Sequence, residues 1–189
     1  TRGIYAEPDQ VVVTPGGKPI LFFTMMALLD EGDEAIYPNP GFPIYESVIQ
    51  FLGARAVPIR LREDRNWTFD LDEFASLITP RTKLVVLNSP HNPTGGTLDH
   101  AALKAIADLA QKHSFTILSD EIYSRILYEG THESIAAFPG LRERTIILDG
   151  FSKTYAMTGW RLGYGVMDKG LAAHVARLVS SCKSCTNSL

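Results

Sequence analysis

Short apolar runs alternate with longer amphipathic segments along the whole chain. The apolar runs predict strands at 9–15, 33–40, 54–61, 83–90, 115–121 and 144–150. Helices are predicted between and after them at 16–32, 41–53, 70–78, 99–113 and 171–180, with Asp70 as the N-cap of the third. Continuous apolar strands separated by helices are typical of a parallel sheet covered on both faces. The pattern therefore predicts one α/β domain, a three-layer sandwich with a mostly parallel central sheet.

Composition narrows the class of protein. The 189 residues carry a net charge of −3, which gives no support for a nucleic-acid partner. No apolar run approaches the roughly 20 residues of a membrane span, so no membrane partner is predicted. With two cysteines the chain is expected to work in a reducing, cytoplasmic setting. Cys182 and Cys185 form a C-x-x-C without a second ligand pair, so they are interpreted as small residues near a helix end, and no metal site is predicted.

Polar and aromatic residues follow five of the predicted strands. In open α/β sheets ligands bind at the carboxyl ends of the strands, so these five segments are expected to meet at one edge. The segments are TPGGKP, YPNPGFPIY, SPHNPTGG, DEIY and GFSKTYAMTGWRLGYG. The last one runs from a predicted strand directly into Ser152 and Lys153 and places Arg161 eight positions after the lysine. It is the strongest candidate for chemistry in the chain.

Single residues in these segments allow two interpretations. Gly16 and Gly17 open a helix, which suits a phosphate but equally a tight turn. Phe42 and Tyr45 lie on a rigid loop, where an aromatic ring could stack on a planar ligand or fill the core. Asn92 precedes a proline, as turn-forming residues often do.

The acidic pair after the fifth strand is a further candidate. Asp120 ends an apolar strand, where an unpaired carboxylate is costly, so a cation partner is expected. A structural salt bridge would satisfy the same need. Glu121 is expected to be the acid of the pair that faces solvent, and His91 is expected to be a loop residue without a metal.

Taken together, the segments contain an amine, a buried acid, a phenol, an amide, a guanidinium and a glycine-rich helix start. Pyridoxal 5′-phosphate is a ligand that uses all six. The roles expected are a Schiff base on Lys153, a charge pair between Asp120 and the ring nitrogen, and hydrogen bonds from Tyr123 and Asn92 to the phenolic oxygen. Arg161 and the amides near Gly16, Gly17 and Lys18 are expected to bind the phosphate, and Phe42 to stack on the ring.

Four segments between residues 11 and 165 resemble the class I/II aminotransferases, the pyridoxal-phosphate-dependent group with the aspartate aminotransferase fold (fold type I). They are VTPGGKPILFFTMMALLDEGDEAIYPNPGFPIYES, NSPHNPTGG, SDEIYSRILYEG and GFSKTYAMTGWRLGYG. The resemblance implies a ping-pong transfer of an amino group between an amino acid and a 2-oxo acid. Lys153, Asp120 and Tyr123 match the family's catalytic positions. Gly150 stands where many members have a phosphate-binding serine, and Ser152 is expected to compensate in part.

The resemblance also implies the domain organisation. Family members are about twice as long, so residues 1–189 are expected to form part of the large, cofactor-binding domain. An N-terminal arm and a C-terminal small domain, which holds the arginine for the substrate carboxylate, are expected to lie outside this chain. Family members are homodimers, and a homodimer is expected for the full-length protein.

Two other functions remain open at this point. A carbon–sulfur lyase on the same fold would share the lysine, the aspartate and NPTG. Such lyases often carry histidine at the position of Tyr123, so DEIY favours transamination. A non-catalytic sensing domain of a transcription regulator would share the fold without the activity.

Overall fold

The computed structural model describes residues 2–186, and one seven-stranded sheet runs through them. Its strands are β1 (Val11–Thr14), β2 (Glu34–Asn39), β3 (Arg55–Arg60), β4 (Thr82–Asn88), β5 (Thr116–Asp120), β6 (Thr145–Gly150) and β7 (Gly163–Val166). The helices are α1 (Lys18–Leu28), α2 (Ile44–Phe51), α3 (Leu71–Leu77), α4 (His100–His113) and α5 (Lys169–Lys183). All eleven predicted elements are present, although their ends differ by a few residues. Thr1 and residues 187–189 of the predicted domain lie outside the described residues.

The strand order places five strand ends together. The order across the sheet is β1-β7-β6-β5-β4-β2-β3. Strands β2 to β6 pair in parallel, and β7 is antiparallel to both of its neighbours, β6 and β1. Strand β1 therefore points in the same direction as the parallel strands. The carboxyl ends of β1, β2, β4, β5 and β6 consequently share one edge, which confirms the mostly parallel sheet.

Both faces of the sheet are covered, as the continuous apolar strands predict. Along β2, Ala35 and Tyr37 pack towards α1, α2 and α5, whereas Ile36 packs towards α3 and α4. Side chains of a strand alternate between the faces, so β2, β4 and β5 each contribute buried residues to both hydrophobic cores. This arrangement confirms the three-layer sandwich. Within residues 2–186, no helix is both long and apolar enough to cross a membrane.

Local sequence signals fix several helix starts. The Asp70 carboxylate accepts hydrogen bonds from the amides of Asp72 and Glu73, which confirms it as the N-cap of α3. Asp99 caps α4 in the same way through the amide of Ala102. Such caps satisfy amides that have no partner inside the helix, which stabilises the helix by about 1 kcal/mol.

Strand β7 was not predicted, because its sequence GYGV is short and rich in glycine. Packing explains the glycines. A Cβ on Gly163 would lie 2.5 Å from the carbonyl carbon of Gly16, and one on Gly165 would lie 2.8 Å from Ile20 Cγ2. The two glycines let β7 lie directly against the turn that begins α1. That turn belongs to the candidate site.

Candidate active site

A cavity of about 330 Å³ lies at the edge where the five strand ends meet. Nine of the ten predicted site residues line it: Gly17, Lys18, Phe42, Asn92, Asp120, Tyr123, Ser152, Lys153 and Arg161. The tenth, Gly16, lies directly behind Arg161. A larger open groove of about 540 Å³ adjoins the cavity and shares Asn92 and Tyr123 with it. The parallel topology thus brings together residues that are up to 145 positions apart.

Asp120 is the buried acid of this cavity. It is the last residue of β5 and only 5% exposed. Its Oδ2 accepts a hydrogen bond from the Tyr45 hydroxyl at 2.7 Å, and its Oδ1 accepts one from the amide of Ile122 at 3.3 Å. Burial raises the pKa of Asp120 to about 6, and the charges of Asp149 and Glu121 act in the same direction. Because both donors are neutral, this carboxylate favours a cation in the cavity.

Asn88, a residue that sequence reasoning missed, ties two strand ends together. Its Nδ2 donates to the carbonyl oxygens of Asp120 at 3.0 Å and Pro90 at 3.2 Å. Its Oδ1 accepts a hydrogen bond from the Asn92 amide at 2.8 Å. The amide side chain therefore fixes the loop that carries Asn92 relative to Asp120. The sequence signal that could have identified Asn88 is its position at the end of an apolar strand.

His91 lies in the same loop, as expected, and it is buried. Its Nδ1 is 2.8 Å from the Thr94 hydroxyl, and its main chain pairs with Gly95 and Gly96. Burial lowers the pKa of His91 to about 4, which keeps the ring neutral at ordinary pH. The ring therefore stabilises the loop beside Asn92 without adding charge to the site.

Lys153 lies on the turn that follows β6, at the mouth of the cavity. Its side chain is exposed, and its Nζ is 5.7 Å from the centroid of the Tyr123 ring. That distance is within the range of a cation–π interaction. Tyr123 lies in the turn after β5, so the amine and the phenol approach each other from neighbouring strands. The lysine is accessible to an incoming molecule, as a reactive amine must be.

Arg161 and Gly16 form a cradle at the start of α1. Gly16 has φ +84°, and a Cβ at this position would lie 2.3 Å from Arg161 Nη2. Arg161 Nη1 donates to the Thr158 carbonyl at 2.8 Å, which holds the guanidinium in place. The guanidinium and the amino end of α1 are two positive features that face one space, an arrangement suited to a phosphate.

The two aromatic residues after β2 have different positions. Phe42 is partly buried and forms a wall of the cavity, with Lys18 Nζ 5.5 Å from its ring centroid. Tyr45 is fully buried, and its ring meets Phe42 edge to face at 5.9 Å. Tyr45 therefore fills the core, whereas stacking of Phe42 on a planar ligand stays a prediction that its position in the cavity wall allows.

The prediction that Glu121 faces solvent is wrong. Glu121 is 1% exposed, and its carboxylate accepts hydrogen bonds from Arg2 at 2.5 Å, His132 at 2.9 Å and Ser134 at 2.6 Å. Burial alone would raise the pKa of Glu121, but the bond from His132 and the charge of Arg2 hold it below its ordinary value. Arg2 lies 119 positions away, so sequence spacing gave no sign of this partner.

Arg2 links Glu121 to a second buried acid. Its Nη2 contacts Asp149 at 2.6 Å and the Ser124 hydroxyl at 2.8 Å. Glu121, Ser124 and Asp149 each adjoin a segment that carries a residue of the cavity. Arg2 therefore connects the ends of β5 and β6 from behind the site.

The fold and the cavity define a class of protein, and sequence comparison agrees with them. Residues 2–188 match the family model of the class I and II aminotransferases, and the chain belongs to this family. The resemblance drawn from the motifs is thereby confirmed.

Individual relatives agree on the family and differ in substrate. The arginine–pyruvate transaminase AruH of Pseudomonas aeruginosa is 42% identical over 93% of this chain and 45% of its own length. The aspartate/prephenate aminotransferase of Thermus thermophilus is 39% identical over 95% of this chain and 46% of its own length. The chain therefore spans about half the length of the curated relatives it matches.

Solved structures confirm the fold. A double mutant of the Thermus thermophilus aspartate aminotransferase superimposes with a TM-score of 0.94 at 36% identity, covering 98% of this chain and 48% of that one. The aromatic aminotransferase of Pyrococcus horikoshii gives a TM-score of 0.95 at 33% identity, covering 98% of this chain and 50% of that one. The seven-stranded sheet thus has the fold of the aminotransferases.

Proposed function

We propose that this chain is the cofactor-binding part of a pyridoxal-phosphate-dependent aminotransferase. The protein would transfer an amino group from an amino acid to a 2-oxo acid in two half-reactions. The observation that carries the proposal is one 330 Å³ cavity with three chemically distinct parts. These are the accessible amine of Lys153, the buried carboxylate of Asp120, and the cradle formed by Gly16 and Arg161.

The residues of the cavity fit pyridoxal phosphate. When bound, this cofactor supplies an aldehyde that reacts with amines and a cationic ring that withdraws electrons from the α-carbon of an amino acid. The cradle can bind a phosphate because Gly16 leaves room for the Arg161 guanidinium beside the start of α1. Asp120 can hold a ring N–H and stabilise its positive charge, since the carboxylate is buried and held by neutral donors.

The remaining residues are assigned by position. Lys153 Nζ supplies the amine for the aldehyde and the base that moves a proton from the substrate α-carbon. Tyr123 and Asn92 would donate hydrogen bonds to an oxygen on the ring, and Phe42 would pack against the ring face; their positions in the lining of the cavity support these roles. Ser152, which also lines the cavity, would assist in binding the phosphate.

The domain assignment and the assembly belong to the same proposal. We assign the chain to the large, cofactor-binding domain, with the arm and the small domain outside it. This chain covers 45–50% of the length of the relatives and solved structures described above, which supports this assignment. A homodimer is supported by the exposure of Trp160 (48%) and Tyr155 (50%), both in the segment of Lys153. A cytoplasmic setting is supported by Cys182 and Cys185, which are free thiols.

The test uses the full-length protein and pyridoxal phosphate. A visible absorption band should form on addition of the cofactor, and borohydride should then trap it on the peptide that contains Lys153. Lys153→Arg should abolish the trapped adduct, whereas Lys183→Arg, which changes a lysine near the end of α5, should leave it unchanged. An adduct spread over many lysines, or none at all, would contradict the proposal.

An activity assay separates transamination from its closest alternative. The cofactor-loaded full-length protein should release one equivalent of 2-oxo acid from an amino acid, and continued release should require a second 2-oxo acid that regenerates the cofactor. Release of pyruvate and ammonia from a cysteine conjugate, without any added 2-oxo acid, would instead indicate a carbon–sulfur lyase.

A further inference from the structure

Tyr45 brings a hydroxyl into the apolar core next to the candidate site. Its side chain is 0% exposed and lies among the residues that α1, α2 and the sheet bury together. A phenylalanine would fill nearly the same space. A buried hydroxyl is costly unless it forms a hydrogen bond, so the hydrogen-bond partner of Tyr45 indicates the role of the hydroxyl.

The partner is the carboxylate of Asp120, 75 positions away along the chain. The distance of 2.7 Å between the phenol oxygen and Oδ2 is that of a charge-assisted hydrogen bond. Burial and the charge of Asp120 raise the pKa of Tyr45 well above its ordinary value, so the phenol keeps its proton and is the donor. Tyr45 itself does not line the cavity; its ring packs against Phe42, and its hydroxyl contacts Asp120.

We propose that Tyr45 is a positioning residue for Asp120. The Tyr45 hydroxyl fixes the Asp120 carboxylate and stabilises its anionic form, which can then pair with a cationic ring in the cavity. The inference rests on the proposed function, because the ring is that of the cofactor. The hydroxyl offsets part of the cost of burying the charge, and the Ile122 amide holds the other oxygen. Asp120 is thereby kept as an anion in a place where burial favours the neutral acid.

Other charged groups near Asp120 act on the same equilibrium. Asp149 from β6 and Glu121 from the turn after β5 both favour its protonated form. Three cationic side chains line the same cavity: Lys18, Lys153 and Arg161. The hydroxyl of Tyr123 is also close enough to Tyr45 to raise its pKa. The effect of Tyr45 must therefore be measured as a difference between variants that leave these groups in place.

The experiment follows the carboxyl carbon of Asp120 by NMR in the full-length protein without cofactor. The protein is labelled with ¹³C at aspartate side chains, and the Asp120 signal is assigned by its loss in Asp120→Asn. In the unmodified protein the titration midpoint should be about 6. Tyr45→Phe removes one hydrogen bond to a charged group and should raise the midpoint by about one to two pH units.

Two further variants keep the result interpretable. Tyr37→Phe removes a hydroxyl from another tyrosine of the same core, whose neighbour is Glu46, and should leave the Asp120 midpoint unchanged. A fluorinated tyrosine at position 45 keeps the ring and strengthens the donor, so it should lower the midpoint. The proposal is overturned if Tyr45→Phe does not move the midpoint, or if Tyr37→Phe moves it equally. If Tyr45→Phe does not fold, the fluorinated variant decides.

Adding the cofactor separates this inference from the proposed function. With pyridoxal phosphate labelled with ¹⁵N at the ring, the Tyr45→Phe protein should lose the ring-nitrogen proton at lower pH than the unmodified protein. An unchanged ring titration, with the cofactor still trapped on Lys153, overturns the role of Tyr45 and leaves the proposed function standing. A shifted Asp120 midpoint without any trapped cofactor supports the Tyr45–Asp120 coupling and contradicts the proposed function.

Discussion

Two buried acids at opposite edges of the sheet, Glu34 and Asp120, have opposite electrostatic surroundings. Glu34 begins β2, is 1% exposed, and accepts hydrogen bonds from Arg81 at 2.8 Å, Arg55 at 3.2 Å and the Thr79 hydroxyl at 2.6 Å. The Thr79 bond, with both arginines, lowers the pKa of Glu34. Asp120 ends β5 with two neutral donors, and burial raises its pKa.

The difference separates an acid that stabilises the fold from the acid that we propose to hold the cofactor. The protein itself supplies two cations to Glu34, so its ionised form stabilises the fold. For Asp120 the hydrogen-bond donors are a neutral phenol and a neutral amide, so a cation that enters the cavity would stabilise its charge further. Burial alone, which is similar at the two positions, would not have distinguished them.

The largest expected effect is that of Asp120→Asn in the full-length protein. Amino transfer should fall by about 10² to 10³, because the charge that stabilises the cationic ring is lost. The cofactor-free protein should at the same time become more stable at pH 7.5, by up to about 3 kcal/mol, since a pKa of about 6 in place of 3.8 penalises the folded state at that pH.

The pH dependence has a definite sign. Between pH 3.8 and 6 the folded protein binds a proton at Asp120 that the unfolded chain has released, so this group weakens folding as the pH rises through that window. Urea titrations at pH 5 and 7.5 should show a gain for Asp120→Asn that is larger at pH 7.5. If Asp120→Asn instead lowered the free energy of unfolding, ionised Asp120 would stabilise the fold as Glu34 does, and the contrast between the two acids would be contradicted.

The next effect is that of Arg2→Met. Removing this guanidinium leaves Asp149 without its ion pair and Glu121 with His132 as its charged neighbour. Breaking a buried pair in this way is expected to cost about 3 kcal/mol of unfolding free energy. Denaturant unfolding measures the loss, and Arg62→Met, which breaks an exposed pair with Asp64, serves as the control. Equal losses of unfolding free energy in the two variants would show that the buried ion pairs of Arg2 stabilise the protein no more than an exposed pair does.

Glu34→Gln should give the opposite result to Asp120→Asn. We expect a loss of about 1–2 kcal/mol at pH 7, because a neutral amide forms weaker bonds with the partly exposed arginines. The stabilisation by Glu34 is present above its ordinary pKa and disappears as the pH falls through its lowered folded pKa. Thermal melts from pH 7 to 3 check this, and amino-transfer activity should change less than twofold. A large loss of activity would make Glu34 part of the functional machinery.

The smallest expected effect is that of Gly163→Ala. A Cβ there would meet Gly16 and Gly17 at 2.5–2.6 Å, so the turn that forms the phosphate cradle must shift. We expect about 1–2 kcal/mol lower stability from overpacking. Cofactor affinity should fall more than in Gly159→Ala, where a Cβ meets no atom within 4 Å. Unchanged affinity in Gly163→Ala would show that the cradle tolerates the shift.

Local sequence patterns predicted much of this arrangement. The apolar runs, the helix cap at Asp70 and the five polar strand ends depend on neighbouring residues, so they can be predicted without knowledge of the fold. The parallel topology then requires the strand ends to meet, which is why nine of the ten predicted site residues line one cavity. Strand β7 was not predicted, because glycine has no local preference for a strand. Its glycines are required by close contacts with the start of α1, which the sequence does not reveal.

The sequence by itself determined the α/β order of elements, the family and nine of the residues that line the cavity, because local periodicity and motif spacing encode them. Only the tertiary structure decided the surroundings of each acid. Glu121 faces the interior because Arg2, 119 positions away, folds over it, and Asp120 is held by Tyr45, 75 positions away. The partner of a buried charge is chosen by packing between distant segments, and no spacing along the chain records that choice.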